Sequence, residues 1–215
     1  MDKFIAVIDY GLGNLRSVSK TLEAVGARVK VTNSPEDIAC ACAIVLPGVG
    51  AFKRAMDNLT RLKVLPSIVR AINQGKPFLG ICLGLQILFT ESQEHGSNRG
   101  LDLIKGEVKK FGPGIKIPHM GWNSVRFKAQ GAKHRIFDGI PEGSYFYFAH
   151  SYYVEPKDKD VIISTTGYGS EFTSAVNKDN IWGVQFHPEK SEKLGLKVLE
   201  NFYSNVSPVR NCPKL

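Results

Sequence analysis

The sequence predicts an α/β protein with a doubly wound, mostly parallel central sheet, flanking helices, and an added antiparallel or mixed sheet in the C-terminal half. Two observations support this. The first half alternates short continuous apolar runs, typical of strands covered on both faces, with segments of helical periodicity. The second half contains short aromatic and β-branched runs separated by Gly, Pro and Asp, which is typical of antiparallel strands.

The elements of the first half follow one another as a parallel sheet requires. Strands are predicted at 4–8, 27–31, 43–46 and 78–81. Helices are predicted at 15–25 and 64–72, where apolar side chains recur every three or four positions. Each predicted helix follows a strand, so it can pack against the sheet that the strands form.

The second half ends in a helix after a series of short strands. Strands are predicted at 144–148, 161–165, 173–176 and 181–184, and the helix at 191–203, with Ser191 as its N-cap. We expect a single domain over 1–206. The tail, 207–215, contains two prolines and Cys212 and is expected to be mobile.

Composition narrows the class of protein. The hydrophobic share of 43% and charged share of 22% exclude a disordered or fibrous chain. No apolar run approaches the roughly 20 residues that span a bilayer. The N-terminus enters a strand-like run without a secretory signal, so we expect a cytoplasmic protein with no membrane association and with reduced cysteines.

The net charge of +8 raises the question of nucleic-acid binding. Between Lys105 and Arg135 there are eight Lys or Arg and only Glu107 against them. No nucleic-acid-binding motif accompanies this stretch, so a solvated face or a surface for a protein partner is the better interpretation. We expect no nucleic-acid partner.

Cys82 lies in the segment most suggestive of catalysis, Gly80-Ile81-Cys82-Leu83-Gly84. The segment follows a buried strand and precedes a helical pattern, which is the arrangement of a nucleophile elbow with Cys in the place of Ser. The helix N-terminus favours a thiolate, and the next backbone N–H, of Leu83, points where an oxyanion would form. Alternatively, Cys82 is a small buried apolar residue.

His187 is the best candidate for the base that a cysteine nucleophile needs. It follows a strand-like run, and Pro188 and Glu189 come directly after it. A carboxylate two residues on can orient one imidazole nitrogen, leaving the other for sulfur. The sequence therefore predicts a Cys82–His187–Glu189 triad; the alternative is a strand-end histidine that only caps a turn.

Together, the segment 80–86 and His187-Pro188-Glu189 resemble the class I, triad-type glutamine amidotransferases. Three further segments, 9–15, 47–52 and 118–123, are similar to the glutaminase subunits of imidazole glycerol phosphate synthases, enzymes of histidine biosynthesis. The resemblance implies hydrolysis of glutamine to glutamate and ammonia through a cysteine thioester, on a flavodoxin-like fold.

The resemblance also assigns residues around the triad. It implies an oxyanion hole formed by Leu83 with the Val49–Gly50 loop. It places Gly50 and Gln86 against the glutamine, whose amino-acid end would meet main-chain groups near Ser151 and Tyr152. It implies no metal and no organic cofactor.

The ammonia requires an acceptor on another chain, because the sequence shows no nucleotide loop and no second catalytic domain. The resemblance implies a heterodimer with a (β/α)₈-barrel cyclase subunit. The residues it assigns to that interface are Asn14, His119, Trp122, Asn123 and Lys190. A core position for Trp122 and a merely solvated Lys190 are the alternatives.

Three other functions remain open from sequence. One is a paralogous amidotransferase subunit that feeds ammonia to another synthase, such as one in modified-sugar synthesis. Another is a cysteine hydrolase acting on a different amide or peptide. The third is an interaction module without catalysis, which would use the basic stretch.

Overall fold

The computed structural model describes residues 3–128 and 132–206, and one twelve-stranded sheet runs through it. The strands are β1 (Ile5–Ile8), β2 (Val29–Thr32), β3 (Ala43–Gly48), β4 (Phe78–Cys82), β5 (Phe89–Ser92), β6 (Asn98–Arg99), β7 (Ile104–Lys110), β8 (His119–Ser124), β9 (Arg126–Phe127), β10 (Tyr145–His150), β11 (Tyr152–Pro156), β12 (Ile162–Tyr168), β13 (Ser170–Lys178) and β14 (Ile181–Val184). The helices are α1 (Leu15–Ala24), α2 (Pro35–Cys40), α3 (Phe52–Arg61), α4 (Leu65–Asn73), α5 (Leu83–Ile87) and α6 (Glu192–Ser204). The predicted mobile tail, with Cys212, lies outside the described residues.

Five parallel strands form the part of the sheet that carries the site, in the order β2-β1-β3-β4-β14. The first four of these follow the order of flavodoxin-like sheets. Alternate side chains of β1 enter two different cores: Ile5 and Val7 pack with α1 and α6, whereas Ala6 and Ile8 pack with α2, α3 and α4. The sheet is therefore covered on both faces, which confirms the predicted fold class.

The antiparallel strands of the second half mostly continue this sheet. After β14 the order runs β13-β11-β7-β5-β6, in which β5 and β7 pair in parallel. Strand β12 branches from β13 and pairs in turn with β9. Among the described strands, β8 and β10 alone form a separate two-stranded sheet, paired from Tyr145 opposite Ser124 to His150 opposite His119. That small sheet lies against Cys82 and His187, the predicted nucleophile and base.

Two helices were not predicted. α2 has only six residues and buries only Ile38, so periodicity could not identify it. α3 buries Phe52, Ala55 and Leu59, whose spacing is helical, so a signal for it was present. Among the described helices, none is long and apolar enough to cross a bilayer.

Ser191 is the residue before the last helix, as predicted, but its side chain does not cap that helix. Ser191 precedes α6, but its side chain accepts no capping hydrogen bond from the helix. Its hydroxyl instead donates to the carbonyl of His187 at 2.7 Å and accepts from the N–H of Tyr147 at 3.0 Å. The residue therefore joins the candidate active site to the small sheet.

Candidate active site

Cys82 lies at the sharp turn between β4 and α5, with φ 55° and ψ −108°. A non-glycine residue with this φ is strained, and such strain is typical of a nucleophile elbow. The flanking glycines serve close packing. A Cβ on Gly80 would lie 2.6 Å from the carbonyl oxygen of Gly84, and one on Gly84 only 1.8 Å from that of Leu46. Cys82 therefore carries the strained backbone conformation, and the glycines at positions 80 and 84 allow the close packing around it.

The sheet topology brings the base to the nucleophile. Strand β14 pairs in parallel with β4, with Val184 opposite Ile81, so His187 follows β14 at the same edge where Cys82 ends β4. The Nδ1 atom of His187 lies 2.9 Å from Oε1 of Glu189, and both side chains are buried. Since a carboxylate accepts, Nδ1 carries the proton and Nε2 is left for the sulfur. Nε2 is buried and has no hydrogen-bond partner among the described residues.

The charge state of His187 follows from its surroundings. Burial alone would lower its pKa, but the negative charge of Cys82 and the Glu189 carboxylate together raise it to about 10. At neutral pH the imidazole is therefore protonated while the thiolate is present.

Backbone contacts fix His187 from the small sheet. Its N–H donates to the carbonyl of Tyr147 at 2.8 Å, and the Tyr147 N–H in turn reaches the Ser191 hydroxyl that donates back to the His187 carbonyl. The same strand, β10, contributes the carbonyl of Ala149, 3.9 Å from the Cys82 sulfur. One strand thus contacts both the Cys82 sulfur and the backbone of His187.

The predicted oxyanion elements are close to Cys82, one in the same segment and one at the end of the neighbouring strand β3. Leu83 is the first residue of α5, and β3 places Gly48 opposite Cys82, so that Val49 and Gly50 follow beside the nucleophile. Gly50 has φ 98° and open space around its Cβ position, so its backbone conformation, not packing, favours glycine there. Their roles in an oxyanion hole stay a prediction.

Gln86 is buried, and its amide is engaged within the protein. Its Nε2 donates to the carbonyl of Tyr152 at 2.9 Å and to Oε1 of Gln185 at 3.1 Å. Nε2 of Gln185 lies 3.5 Å from the Cys82 sulfur. The carbonyl of Tyr152 therefore already accepts one hydrogen bond from Gln86, and the substrate roles predicted for Gln86, Ser151 and Tyr152 stay predictions.

Two residues near the sulfur were missed from sequence, Tyr10 and Gln185. The Tyr10 hydroxyl is buried without a hydrogen-bond partner among the described residues, 2.3 Å from where a Gly48 Cβ would stand. Burial, with the charge of Cys82, raises the pKa of Tyr10 above its ordinary range, so the phenol stays protonated. Gln185 is a polar residue between Val184 and Phe186, which is the one signal that its sequence offers; Tyr10 lies between Asp9 and Gly11 and offers none.

A second hydrogen-bonded chain runs from the surface to Tyr152. Nδ1 of His150 lies 2.8 Å from the Tyr152 carbonyl, His119 Nδ1 lies 3.0 Å from His150 Nε2, and Asn123 Nδ2 lies 3.2 Å from His119 Nε2. Because a carbonyl only accepts, every proton in this chain is fixed: Asn123 donates to His119, His119 to His150, and His150 to Tyr152.

The prediction that His119 forms part of a partner surface was wrong for its side chain. Only 3% of the residue is exposed, and the ring stacks on Phe148 and Tyr168 at centroid distances of 4.9 and 4.0 Å. His119 lies three positions from Trp122 along β8, and residues an odd number apart point to opposite faces of a strand. The His119 side chain is therefore packed on the inner side of β8, opposite the exposed side that carries Trp122.

Burial of this histidine pair predicts acid sensitivity. Burial lowers the pKa of His119 to about 4 and that of His150 to about 3, against 6.5 for an unperturbed imidazole. The unfolded chain therefore binds more protons below pH 6.5, so stability is expected to fall as the pH drops from about 6.5 towards 3. Urea unfolding across this range should show a shallower fall for His150→Gln, while the exposed His95→Gln keeps the wild-type dependence. If the free energy of unfolding fell equally steeply with decreasing pH in the wild type and both variants, this prediction would be wrong.

The outer side of the small sheet is exposed and aromatic. We call this surface the outer face; its residues are Met120, Trp122, Tyr145 and Tyr147. Met120 is 66% and Trp122 48% exposed, which excludes the alternative of a core tryptophan. Lys190, also exposed, lies over the ring of Tyr147 with its Nζ 5.5 Å from the centroid. The predicted interface residue Asn14 precedes α1 at the carboxyl end of β1, the same edge of the sheet as Cys82.

The basic stretch is partly neutralised where the structure describes it. Lys105 pairs with Asp102 at 2.5 Å, and Lys109 contacts both Glu107 and Glu155. Acidic residues outside the stretch thus offset some of its charge. Among the described residues, no group of three acidic, Cys or His side chains is arranged to hold a metal ion.

Comparison with known proteins agrees with this geometry. Residues 6–206 match the family described as glutamine amidotransferase class-I. The chain belongs to this family. It is 53% identical over 198 residues to the imidazole glycerol phosphate synthase subunit HisH of Moorella thermoacetica, covering 92% of this chain and 93% of that protein. It is 55% identical over 197 residues to the protein of the same name from Aquifex aeolicus, covering 91% and 94%.

Solved structures support the fold. The structure of PurLQS from Thermotoga maritima superposes with a TM-score of 0.72 at 21% identity, over 96% of this chain and 98% of that chain. At this identity the likeness concerns the fold alone. The predicted family is confirmed.

Proposed function

We propose that this chain is the glutaminase subunit of an imidazole glycerol phosphate synthase, hydrolysing glutamine through Cys82 and supplying ammonia to a cyclase subunit. The observation that carries the proposal is the buried His187–Glu189 pair beside a strained Cys82. Relatives that are about half identical over nine tenths of the chain, and that bear this enzyme's name, support the choice of pathway. They disfavour a paralogous pathway and a hydrolase for other amides.

In the first half of the reaction, the Cys82 thiolate attacks the side-chain carbonyl carbon of glutamine. The carbonyl oxygen gains the negative charge, which backbone donors at Leu83 and the Val49–Gly50 loop would stabilise; losing such a donor typically costs roughly 10²–10³ in rate. The C–N bond then breaks. His187, protonated at Nε2, gives its proton to the leaving nitrogen, so ammonia departs and a γ-glutamyl thioester remains.

The second half follows from the electrostatics of the pair. Forming the thioester removes the negative charge of Cys82, one of the influences that raise the pKa of His187. Having lost its proton to ammonia, the imidazole is then a neutral base held by Glu189 through Nδ1. It takes a proton from water, the hydroxide attacks the thioester, and glutamate leaves as Cys82 becomes a thiolate again.

The outer face is the candidate docking surface for the cyclase, which we propose is a (β/α)₈ barrel. Aromatic residues and methionine are enriched in protein interfaces, and here they share the strands that contact the catalytic residues. Tyr147 contributes its side chain to the outer face and its carbonyl to the backbone of His187. A partner that shifts β10 would therefore act directly on the triad, and ammonia released beneath this sheet would have a short, protected path to the partner.

Trp122→Ala is expected to weaken docking, because an exposed central tryptophan is the type of residue that contributes 2 kcal/mol or more, about thirtyfold in affinity. Partner-stimulated glutamate release should then need higher cyclase concentrations, while basal hydrolysis stays near the wild-type rate. Titration of the cyclase into a glutaminase assay measures this. Leu196→Ala, which removes an exposed leucine on α6, serves as the control. Unchanged affinity in Trp122→Ala would exclude the outer face as the interface.

The function itself is tested by glutamate release from glutamine, measured with the chain alone and with a histidine-pathway cyclase barrel loaded with a ribonucleotide substrate analogue. Strong stimulation by the loaded partner is expected. If glutamine were hydrolysed at the same rate with and without the partner, the predicted triad would be retained and the assignment to the histidine pathway would be wrong. Absence of hydrolysis in both samples would overturn the proposal and favour a module without catalysis.

A further inference from the structure

We propose that Gln185 is a hydrogen-bond donor that holds the Cys82 sulfur as a thiolate, and that Gln86 fixes the orientation of its amide. This inference rests on the proposed glutaminase function but concerns a residue outside the triad. Gln185 is fully buried, between Val184 at the end of β14 and Phe186. Its Nε2 lies 3.5 Å from the sulfur, within hydrogen-bonding range of that larger atom.

The orientation of the Gln185 amide is determined by its neighbours. The Tyr152 carbonyl can only accept, so the Gln86 atom 2.9 Å from it must be the amide nitrogen. That nitrogen's second N–H faces Gln185 at 3.1 Å, so the Gln185 atom there must be its oxygen. The remaining atom, Nε2, is then directed to Cys82. A donor, not an acceptor, meets the sulfur.

The position of the donor is also fixed. The backbone N–H of Gln185 donates to the Ser174 carbonyl at 2.8 Å, which anchors the residue to β13. Both Gln185 and Gln86 are buried, so water does not compete for these groups. An N–H directed at sulfur stabilises the charged thiolate more than the neutral thiol, because hydrogen bonds to charged groups are stronger.

This role has a consequence for reactivity. The thiolate is the nucleophile, so losing the donor should lower the thiolate fraction at neutral pH. In the wild type, the Gln185 amide and the His187 imidazolium would both stabilise the negative charge on the sulfur. Gln185 does not transfer a proton, and the outcome of the reaction does not depend on it.

The test is the pH dependence of Cys82 alkylation by iodoacetamide, followed on the Cys82 peptide by mass spectrometry so that the other cysteines do not contribute. In Gln185→Leu the pH of half-maximal rate should rise by about one unit, and kcat should fall about tenfold with KM within about threefold. Gln185→Glu keeps the size and the acceptor for Gln86 but places a carboxylate oxygen at the sulfur. Its midpoint should rise further.

Asn177→Leu is the matched control, since Asn177 is a buried amide that donates only to main-chain carbonyls, of Asp179 and Ile181. It should lose stability and keep the wild-type alkylation midpoint. Gln86→Met removes the group that orients the Gln185 amide, so the alkylation midpoint should rise by less than in Gln185→Leu. If the Gln185 variants do not fold, Gln86→Met is the variant that tests the inference. An unchanged midpoint in any folded Gln185 variant, or in Gln86→Met if neither folds, would overturn the inference.

The alkylation assay needs no glutamine, so it separates the two claims. If the wild type hydrolysed no glutamine and Gln185→Leu still shifted the midpoint, the proposed function would fail and the role of Gln185 would stand. If the wild type hydrolysed glutamine and the midpoint did not move, only the role of Gln185 would fail.

Discussion

Replacing Cys82 with alanine is expected to reduce glutamine hydrolysis by about 10⁴-fold or more, because the proposed acyl intermediate forms on the Cys82 sulfur. The buried His187–Glu189 pair would remain but would have no nucleophile to serve. Glutamate release in the presence of the cyclase partner measures the effect. Cys82→Ser should be nearly as inactive, since a hydroxyl beside this imidazole does not ionise as a thiol does.

The matched control is Cys42→Ala. Cys42 is also buried and free, but it lies directly before β3, at the end of that strand far from the elbow, and its sulfur is 3.1 Å from the Phe4 carbonyl oxygen. Burial raises the pKa of its thiol. Retained hydrolysis in Cys82→Ala, or its loss in Cys42→Ala with the fold intact, would show that the nucleophile has been misassigned.

Gly84→Ala is expected to destabilise the protein by more than about 3 kcal/mol or to prevent folding, the upper end of overpacking effects. The added methyl would lie 1.8 Å from the Leu46 carbonyl oxygen, and neither backbone can retreat without separating β3 from α5. Urea unfolding by circular dichroism measures the loss. Residual hydrolysis should fall with it, because the same packing holds Cys82 at its strained turn.

Gly112→Ala gives the comparison. No heavy atom lies within 4 Å of its Cβ position, so this substitution should change the free energy of unfolding by less than about 0.5 kcal/mol. A Gly84→Ala protein as stable as Gly112→Ala would mean that the elbow relaxes more easily than its packing indicates.

The sequence was sufficient for the parts of the site that depend on local chemistry. A buried strand, Gly80, Cys82 and Gly84 define the elbow from within one segment, and His187 is marked by the proline and carboxylate that follow it. The centre of the parallel sheet was predictable for the same reason, because β1, β3 and β4 are almost entirely apolar and buried. The family predicted from these segments is confirmed.

What could not be predicted depends on pairings between distant segments. Gln185 is the one polar residue in an otherwise apolar stretch, and its own segment does not show what its side chain contacts. Only the pairing of β14 with β4 places it at the Cys82 sulfur. The family resemblance assigned His119 to the interface together with Trp122, although the alternation of β8 directs the two side chains to opposite faces. The dual contact of β10 with Cys82 and His187 likewise appears only once the small sheet is folded.

The most direct test of the central claim uses glutamine labelled with nitrogen-15 in its side-chain amide, supplied to this chain together with the cyclase barrel and its ribonucleotide substrate, in a buffer containing unlabelled ammonium. We expect the imidazole product to carry the label, with little dilution by the ammonium, because ammonia released at Cys82 passes beneath the docked outer face to the partner. Product that carried only unlabelled nitrogen while glutamine was consumed would contradict the account.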